Sequence, residues 1–397
     1  MKLDKLCSPL LFLSLTASSQ AIVQAYYVNY YSSQAQTNDG APTDTPVCGF
    51  QGAIYCDTYG DMFSGTLTRP DASVESFWFS PDTTLVFYSP GYSDLATLDA
   101  NYPAGTYNFS IDSGTFAPDN QNIVVQAPDF PDAVPYFTGG SWSALQNAPP
   151  LNHVLVQWTG WGHPGTSTNQ VTGLSIYDYT KIESAYTASG PQNEYQSDLL
   201  PAGIMKSGHT YGTNLAFYSY NQEPGMGFGG AYETVEWYRQ TTGQFHVKAD
   251  PGTVSGQIVL NDYYYPVGET VVAQVCDTDG TVLEEQNVLV GVDGWYAFDT
   301  TETGTKTIKI KGRIWLRQAM PGVDLTVGQD STNFTLQSGD CNNDNTVDLT
   351  DYTRVVVAFN AVPSSGNWEP TADLNGDSVI DLSDYTIVVT NFNRLGD

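Results

Sequence analysis

Aspartate and asparagine recur at every second position in DCNNDNTVDLTD, residues 340–351, and again 33 residues later in DLNGDSVIDLSD, residues 373–384. Taken as loops of twelve, the first places Asp340, Asn342 and Asp344 at positions one, three and five, Thr346 at seven, Asp348 at nine and Asp351 at twelve. The second places Asp373, Asn375, Asp377, Val379, Asp381 and Asp384 at the same positions. In a tightly curled loop alternate side chains turn inward, so short oxygen donors at one, three and five converge on one point. A hard cation such as calcium takes six to eight oxygens at about 2.3–2.6 Å. Position seven supplies a backbone carbonyl, so threonine and valine serve equally there. Position nine commonly acts through a water, and the twelfth carboxylate closes the shell. The pattern predicts two bound Ca2+ ions.

Each loop needs an element to hold it. Val347 and Ile380, at position eight, are suited to a small core between the loops, and DYTRVVVAFN and DYTIVVTNFN are expected to form short helices despite their valines. Acids at their starts favour the helix dipole. A duplicated loop and helix, with no helix before the loop and aspartate at position twelve, resembles a type I dockerin over about residues 339–397. The resemblance implies two calcium ions and docking onto a cohesin, often in polysaccharide-degrading or polysaccharide-binding assemblies. It carries the family's recognition pair onto Leu349 and Thr350 and onto Leu382 and Ser383. Several positions depart from the family. Leucine replaces the common serine or threonine at position ten, Val356-Val357 and Val389-Thr390 stand where a basic pair is usual, and Asn345 and Ser378 replace the glycine of position six. An intramolecular clamp or surface anchoring would use the same metal sites.

The chain has 397 residues, a formal charge of −29 and only 14 Lys and Arg, which repels nucleic-acid phosphates and anionic membranes and suits divalent cations or neutral ligands. It opens with two lysines, an apolar run from Leu10 to Leu15 and small residues, so a signal peptide is expected over residues 1–25, cleaved after Ala21 or Ala25. That run is too short to span a bilayer. The mature chain is therefore expected to be secreted, extracellular or at the cell surface, without a transmembrane segment. Cys48 and Cys56 bracket GFQGAIY, a spacing that suits a bridged hairpin in an oxidising compartment. Cys276 and Cys341 either bridge two modules or are small buried hydrophobes.

Abundant glycine, proline and tyrosine, and no long helical periodicity, predict a mainly β chain of tandem sandwiches before the helical tail. Residues 26–126 alternate short β-rich runs with turn clusters, and their first stretch, Tyr26 to Cys56, is expected to be a lid, an edge hairpin or an unpaired arm. Residues 127–248 carry Trp158 in an early strand and a late PAG turn leading to Tyr211, which resembles fibronectin type III; YPAGTYNFSI in the first module has the same corner. Residues 249–338 resemble a carboxypeptidase-regulatory-like or prealbumin-like sandwich, with DTDG and GVDG assigned to tight turns.

Catalytic constellations are sparse. HExxH, GxSxG, a Gly-rich phosphate loop and CxxC are all missing from the sequence. The histidines are scattered, and His163 in GWGHPG is expected at the surface. A glycosidase needs two carboxylates about 5–10 Å apart. Glu233 and Glu236 are three apart in YETVEWY, an odd spacing that sends them to opposite faces of a strand. Trp161, Tyr263, Tyr264 and Tyr265 are candidates for stacking on neutral sugars, against a simpler role as sandwich aromatics. The expectation is an exported non-catalytic binding and assembly protein. The alternative is a carbohydrate-active hydrolase with its active site in residues 26–245.

Overall fold

The computed structural model describes residues 23–56, 61–80, 83–147, 152–163, 165–192, 194–224 and 231–397. The expected leader lies almost wholly outside them. Val23 and Ala25 are buried in the first strand, so a leader ending at Ala21 would leave that strand whole.

The first stretch contributes β1 (Val23–Ala35), β2 (Val47–Cys56), β3 (Ser64–Thr68), β4 (Val74–Ser76), β5 (Trp78–Ser80), β6 (Thr84–Tyr88), β7 (Gly105–Ser113) and β8 (Asp119–Val125), with helix α1 (Leu95–Asn101) after β6. The next contributes β9 (Phe137–Thr138), α2 (Ser141–Gln146), β10 (Val154–Trp158), β11 (Asn169–Asp178), β12 (Glu183–Pro191), β13 (Ser197–Leu200), β14 (Thr210–Pro224) and β15 (Tyr232–His246). Both stretches feed one eight-stranded sheet in the order β12-β11-β14-β15-β1-β2-β6-β5. Its seam is the parallel pairing of β1 with β15, from Ala25 opposite Tyr232 to Ala35 opposite Thr242. Residues 26–126 and 127–248, expected as separate modules, therefore share a sheet.

On β1, Tyr26, Val28 and Tyr30 point to one face and are buried against β3, β7 and β8. Their hydroxyls stay satisfied: Tyr26 donates to Asp119 Oδ2 at 2.9 Å, and Tyr30 to the Tyr102 carbonyl at 3.0 Å. Further along the sheet, Leu174, Ile176, Leu215 and Phe217 pack with β10 and its neighbours, including the buried Trp158. Both expected corners form. Tyr107 donates to the Pro103 carbonyl at 2.9 Å, and the Tyr211 hydroxyl accepts the Lys206 N–H at 2.7 Å.

Two expectations fail in this region. Residues 26–56 are no lid, edge hairpin or loose arm: they form two long strands in the interior of the large sheet. Nor does Cys48 bridge Cys56. They lie near opposite ends of β2, and eight residues of extended chain span about 26 Å, against the roughly 6 Å between Cα atoms that a disulfide requires. Both are buried thiols outside any disulfide, as are Cys276 and Cys341, whose role is that of small buried hydrophobes.

The third stretch contributes β16 (Thr253–Leu260), β17 (Thr270–Cys276), β18 (Val282–Leu289), β19 (Trp295–Asp299), β20 (Thr305–Lys311), β21 (Gln318–Asp324) and β22 (Phe334–Leu336). They form a sandwich of β19-β16-β22 and β18-β17-β20-β21. DTDG turns β17 into β18, with Gly280 N–H donating to the Asp277 carbonyl at 3.0 Å. GVDG is a single 3-10 turn in which Asp293 takes φ 54°. Two helices follow, α3 (Leu349–Val357) and α4 (Leu382–Thr390). Valine is a modest helix former, but Asp348 and Asp381 each close a capping box with Asp351 and Asp384, which satisfies the free N–H groups of the first turn.

The apolar interior does not stop where the helices begin. Val254, Ile258, Ile310, Trp315 and Leu336 of the sandwich share one buried cluster with Cys341, Val347, Val355, Ile380 and Val388 of the tail.

Candidate metal centre

The two acidic loops repeat one hydrogen-bond scheme. Asn342 Nδ2 donates to Asp344 Oδ2 at 2.7 Å, and Asn375 Nδ2 to Asp377 Oδ2 at 2.9 Å. Asp344 Oδ1 accepts the Thr346 N–H and Asp377 Oδ1 the Val379 N–H, each at 2.9 Å. Asp351 Oδ1 takes the Asn342 N–H at 3.1 Å and its Oδ2 the Asp348 N–H at 2.8 Å. Asp384 repeats this with Asn375 at 3.2 Å and Asp381 at 2.9 Å. Positions three, five, nine and twelve are thus tied together in both copies. The curl needs left-handed backbone at positions four and six, filled by Asn343 and Asn345 in one loop and Gly376 and Ser378 in the other.

Position eight joins the copies. Val347 N–H donates to the Arg394 carbonyl at 2.9 Å and its carbonyl accepts the Asn393 N–H at 2.8 Å. Ile380 makes the same pair of bonds with Ala361 and Asn360, at 3.0 and 2.8 Å. Each loop therefore grips the chain beyond the other copy's helix, and both position-eight side chains are fully buried.

Burial, with neighbouring carboxylates adding to it, pushes Asp351, Asp373 and Asp384 above the usual carboxylate range. Enclosed acids of one sign are short of positive charge. Among the described residues no group of three or more His, Cys, Asp or Glu side chains could hold an ion unaided. The full donor set adds Asn342, Asn375 and the carbonyls of Thr346 and Val379; all are oxygens, which fits a hard cation such as calcium.

Residues 338–393 match the family model described as Dockerin type I domain. This C-terminal segment is a type I dockerin domain. Its presence gives the chain a docking and assembly role. The first of the similar solved structures is an N-terminal interface mutant of a type II cohesin–X–dockerin complex from Acetivibrio cellulolyticus, 22% identical over 36% of this chain and 97% of that one, with a TM-score of 0.30. Two fibronectin type III domains of chicken tenascin are 12% identical over 57% of this chain and 99% of that one, with a TM-score of 0.18. Likenesses of that size carry no functional weight. No curated protein matches the chain.

The dockerin residues expected to meet a partner lie outward. Leu349 is 67% exposed and Leu382 65%, and Thr350 and Ser383 are exposed beside them. Val357, Val356 and Val389 extend these apolar faces along the helices.

Elsewhere several side chains lie differently from expectation. Trp161 is buried, stacks on Phe217 at 5.2 Å and donates to Thr172 Oγ1, so it offers no ring to a sugar. Tyr263 is partly buried against Trp315; Tyr264 and Tyr265 keep exposed rings. His163 is not at the surface. Its Nε2 lies 3.0 Å from Asp129 Oδ2 with both side chains enclosed, while His209 pairs with Asp178 at 2.7 Å and His246 with Asp330 at 3.0 Å. These partners are 31 to 84 residues apart and no local spacing announces them. Glu233 and Glu236 do take opposite faces: Glu233 accepts from Gln121 of β8, and Glu236 faces away from that sheet. A cavity of about 370 Å³ between β8 and β15 has Glu233 as its one carboxylate among the described residues.

Proposed function

We propose that the chain is an exported, non-catalytic docking protein. Its dockerin domain binds two Ca2+ ions and presents the outer faces of α3 and α4 to a cohesin-like module, in a polysaccharide-associated assembly at or beyond the cell surface. Asp340, Asn342, Asp344, Thr346, Asp348 and Asp351 would hold one ion, and Asp373, Asn375, Asp377, Val379, Asp381 and Asp384 the other. When bound, the ions supply the positive charge that the aspartates of the two loops lack.

The observation that carries the docking reading is the pair of exposed leucines. An internal clamp would bury the recognition positions, yet Leu349 and Leu382 face solvent while the loops beneath them rest on the sandwich. Leu349, Thr350, Leu382 and Ser383 are the residues proposed to touch the partner. The expected result is capture of the full chain by immobilised cohesin modules in calcium, lost with chelator and weakened at least tenfold, about 1.4 kcal/mol, when Leu349 and Leu382 are both changed to Ala. Calcium at a hundred times Kd should stabilise each loop by about 2.7 kcal/mol. Capture unaffected by chelator would overturn the calcium-dependent reading, and release of reducing sugar from a polysaccharide would overturn the non-catalytic one.

A further inference from the structure

The two loops offer the same donors, four aspartates and one asparagine each, so their chemistry alone predicts equal sites. Their surroundings are not equal. Lys311, the last residue of β20, reaches out of the sandwich and into the first loop. Its ammonium donates to Asp340 Oδ2 at 2.8 Å and to Asn343 Oδ1 at 2.7 Å, and it is braced from behind by the carbonyls of Trp315 at 2.8 Å and Gly312 at 3.0 Å. Asp340 is fully buried, and the lysine side chain is 16% exposed. The second loop meets no such charge. There the sandwich supplies the ring of Tyr263 beneath Gly376 and the Tyr264 N–H, which donates to the Asn375 carbonyl at 2.8 Å. Arg313, on that side, gives its guanidinium to the Pro370 carbonyl, and Arg317 gives its own to Asp397. Among the described residues Lys311–Asp340 is the one ion pair made by a loop aspartate.

We infer that Lys311 is a resident counter-ion that makes the first metal site weaker than the second, so that the loops fill in order, Asp373–Asp384 before Asp340–Asp351. The inference rests on the calcium reading above. An ion held by Asp340 must share that carboxylate with an enclosed ammonium, and like charges at short range in a partly dry setting repel strongly. Without metal the same contact neutralises part of the first loop and fixes it to the sandwich. The sandwich thereby sets the calcium level at which the dockerin is fully loaded.

The test is a calorimetric calcium titration of the full chain after chelator treatment and dialysis. The wild type is expected to show two steps, and Asp384→Asn, which cripples the second loop, to remove the tighter one. Lys311→Met is expected to tighten the weaker step by about tenfold and leave the tighter step unchanged. It should also lower the melting temperature of the metal-free chain. If Lys311→Met does not fold, Lys311→Gln keeps a donor for the carbonyls of Gly312 and Trp315 and gives the same reading. Two calcium steps that ignore these variants would overturn the inference and leave the calcium reading standing. No calcium uptake by the wild type would overturn both.

Discussion

Glu236 shows what one residue's setting does to its chemistry. It sits on β15 beside Asn29 and Tyr220, partly buried, and burial raises its carboxyl to about 8. In the unfolded chain it ionises near the ordinary glutamate value, so between roughly pH 4.5 and 8 the folded state holds a proton that the unfolded state has released. The stability this group contributes is complete below the lower value and disappears as pH rises through the upper one. Glu236→Gln, neutral throughout, should therefore change the melting temperature little at pH 4 and raise it at pH 9. A gain of equal size at both pH values would show that Glu236 ionises in the fold as it does in the unfolded chain. The odd spacing that separates Glu233 from Glu236 was plain in the sequence, because strand periodicity is local. The enclosure of Glu236 was not, since its neighbours come from β1 and β14.

At the scale of elements, the loops are where sequence and structure agree most closely. Position six takes the left-handed conformation in both, φ 72° at Asn345 and 69° at Ser378, but the two residues do different work. Asn345 tolerates that backbone and its Oδ1 accepts the Arg317 N–H at 2.7 Å. Ser378 is strained there. Ser378→Gly should stabilise the metal-free chain by about 1 kcal/mol, whereas Asn345→Gly should cost about 1 kcal/mol by leaving the Arg317 N–H without its acceptor. Thermal denaturation of both variants checks the opposite signs. The loops were legible because the hydrogen bonds that curl each one, from position one to position twelve, span a dozen residues or fewer. Strands β1 and β2 were misread for the opposite reason. What makes β1 interior is its pairing with β15, some 200 residues away, and an alternating run next to turn residues looks the same at an edge as at the centre of a sheet.

For the whole molecule, the shared core of the third sandwich and the dockerin is the decisive feature. Trp315 is fully buried where they meet, edge-on to Tyr263 and donating to the Asn261 carbonyl at 3.2 Å. Its loss should therefore be felt on both sides. Trp315→Ala is expected to cost about 3–5 kcal/mol and to remove hydrogen-exchange protection from β17 and β20 together with α3 and α4. Protection lost from the sandwich alone would show that the dockerin folds independently.

The sequence by itself determined the twin loops, the short capped helices, the β character of the rest and the two tyrosine corners, because each is written in spacings that act within one turn, loop or strand. Tertiary structure alone decided that strands from residues 23–88 and 169–246 join in one eight-stranded sheet, that Cys48 and Cys56 stand apart, that three histidines meet aspartates, and that a lysine from the sandwich enters the first loop. Those outcomes depend on which distant segments share a surface, and burial and charge pairing between such segments leave no periodic trace in the chain.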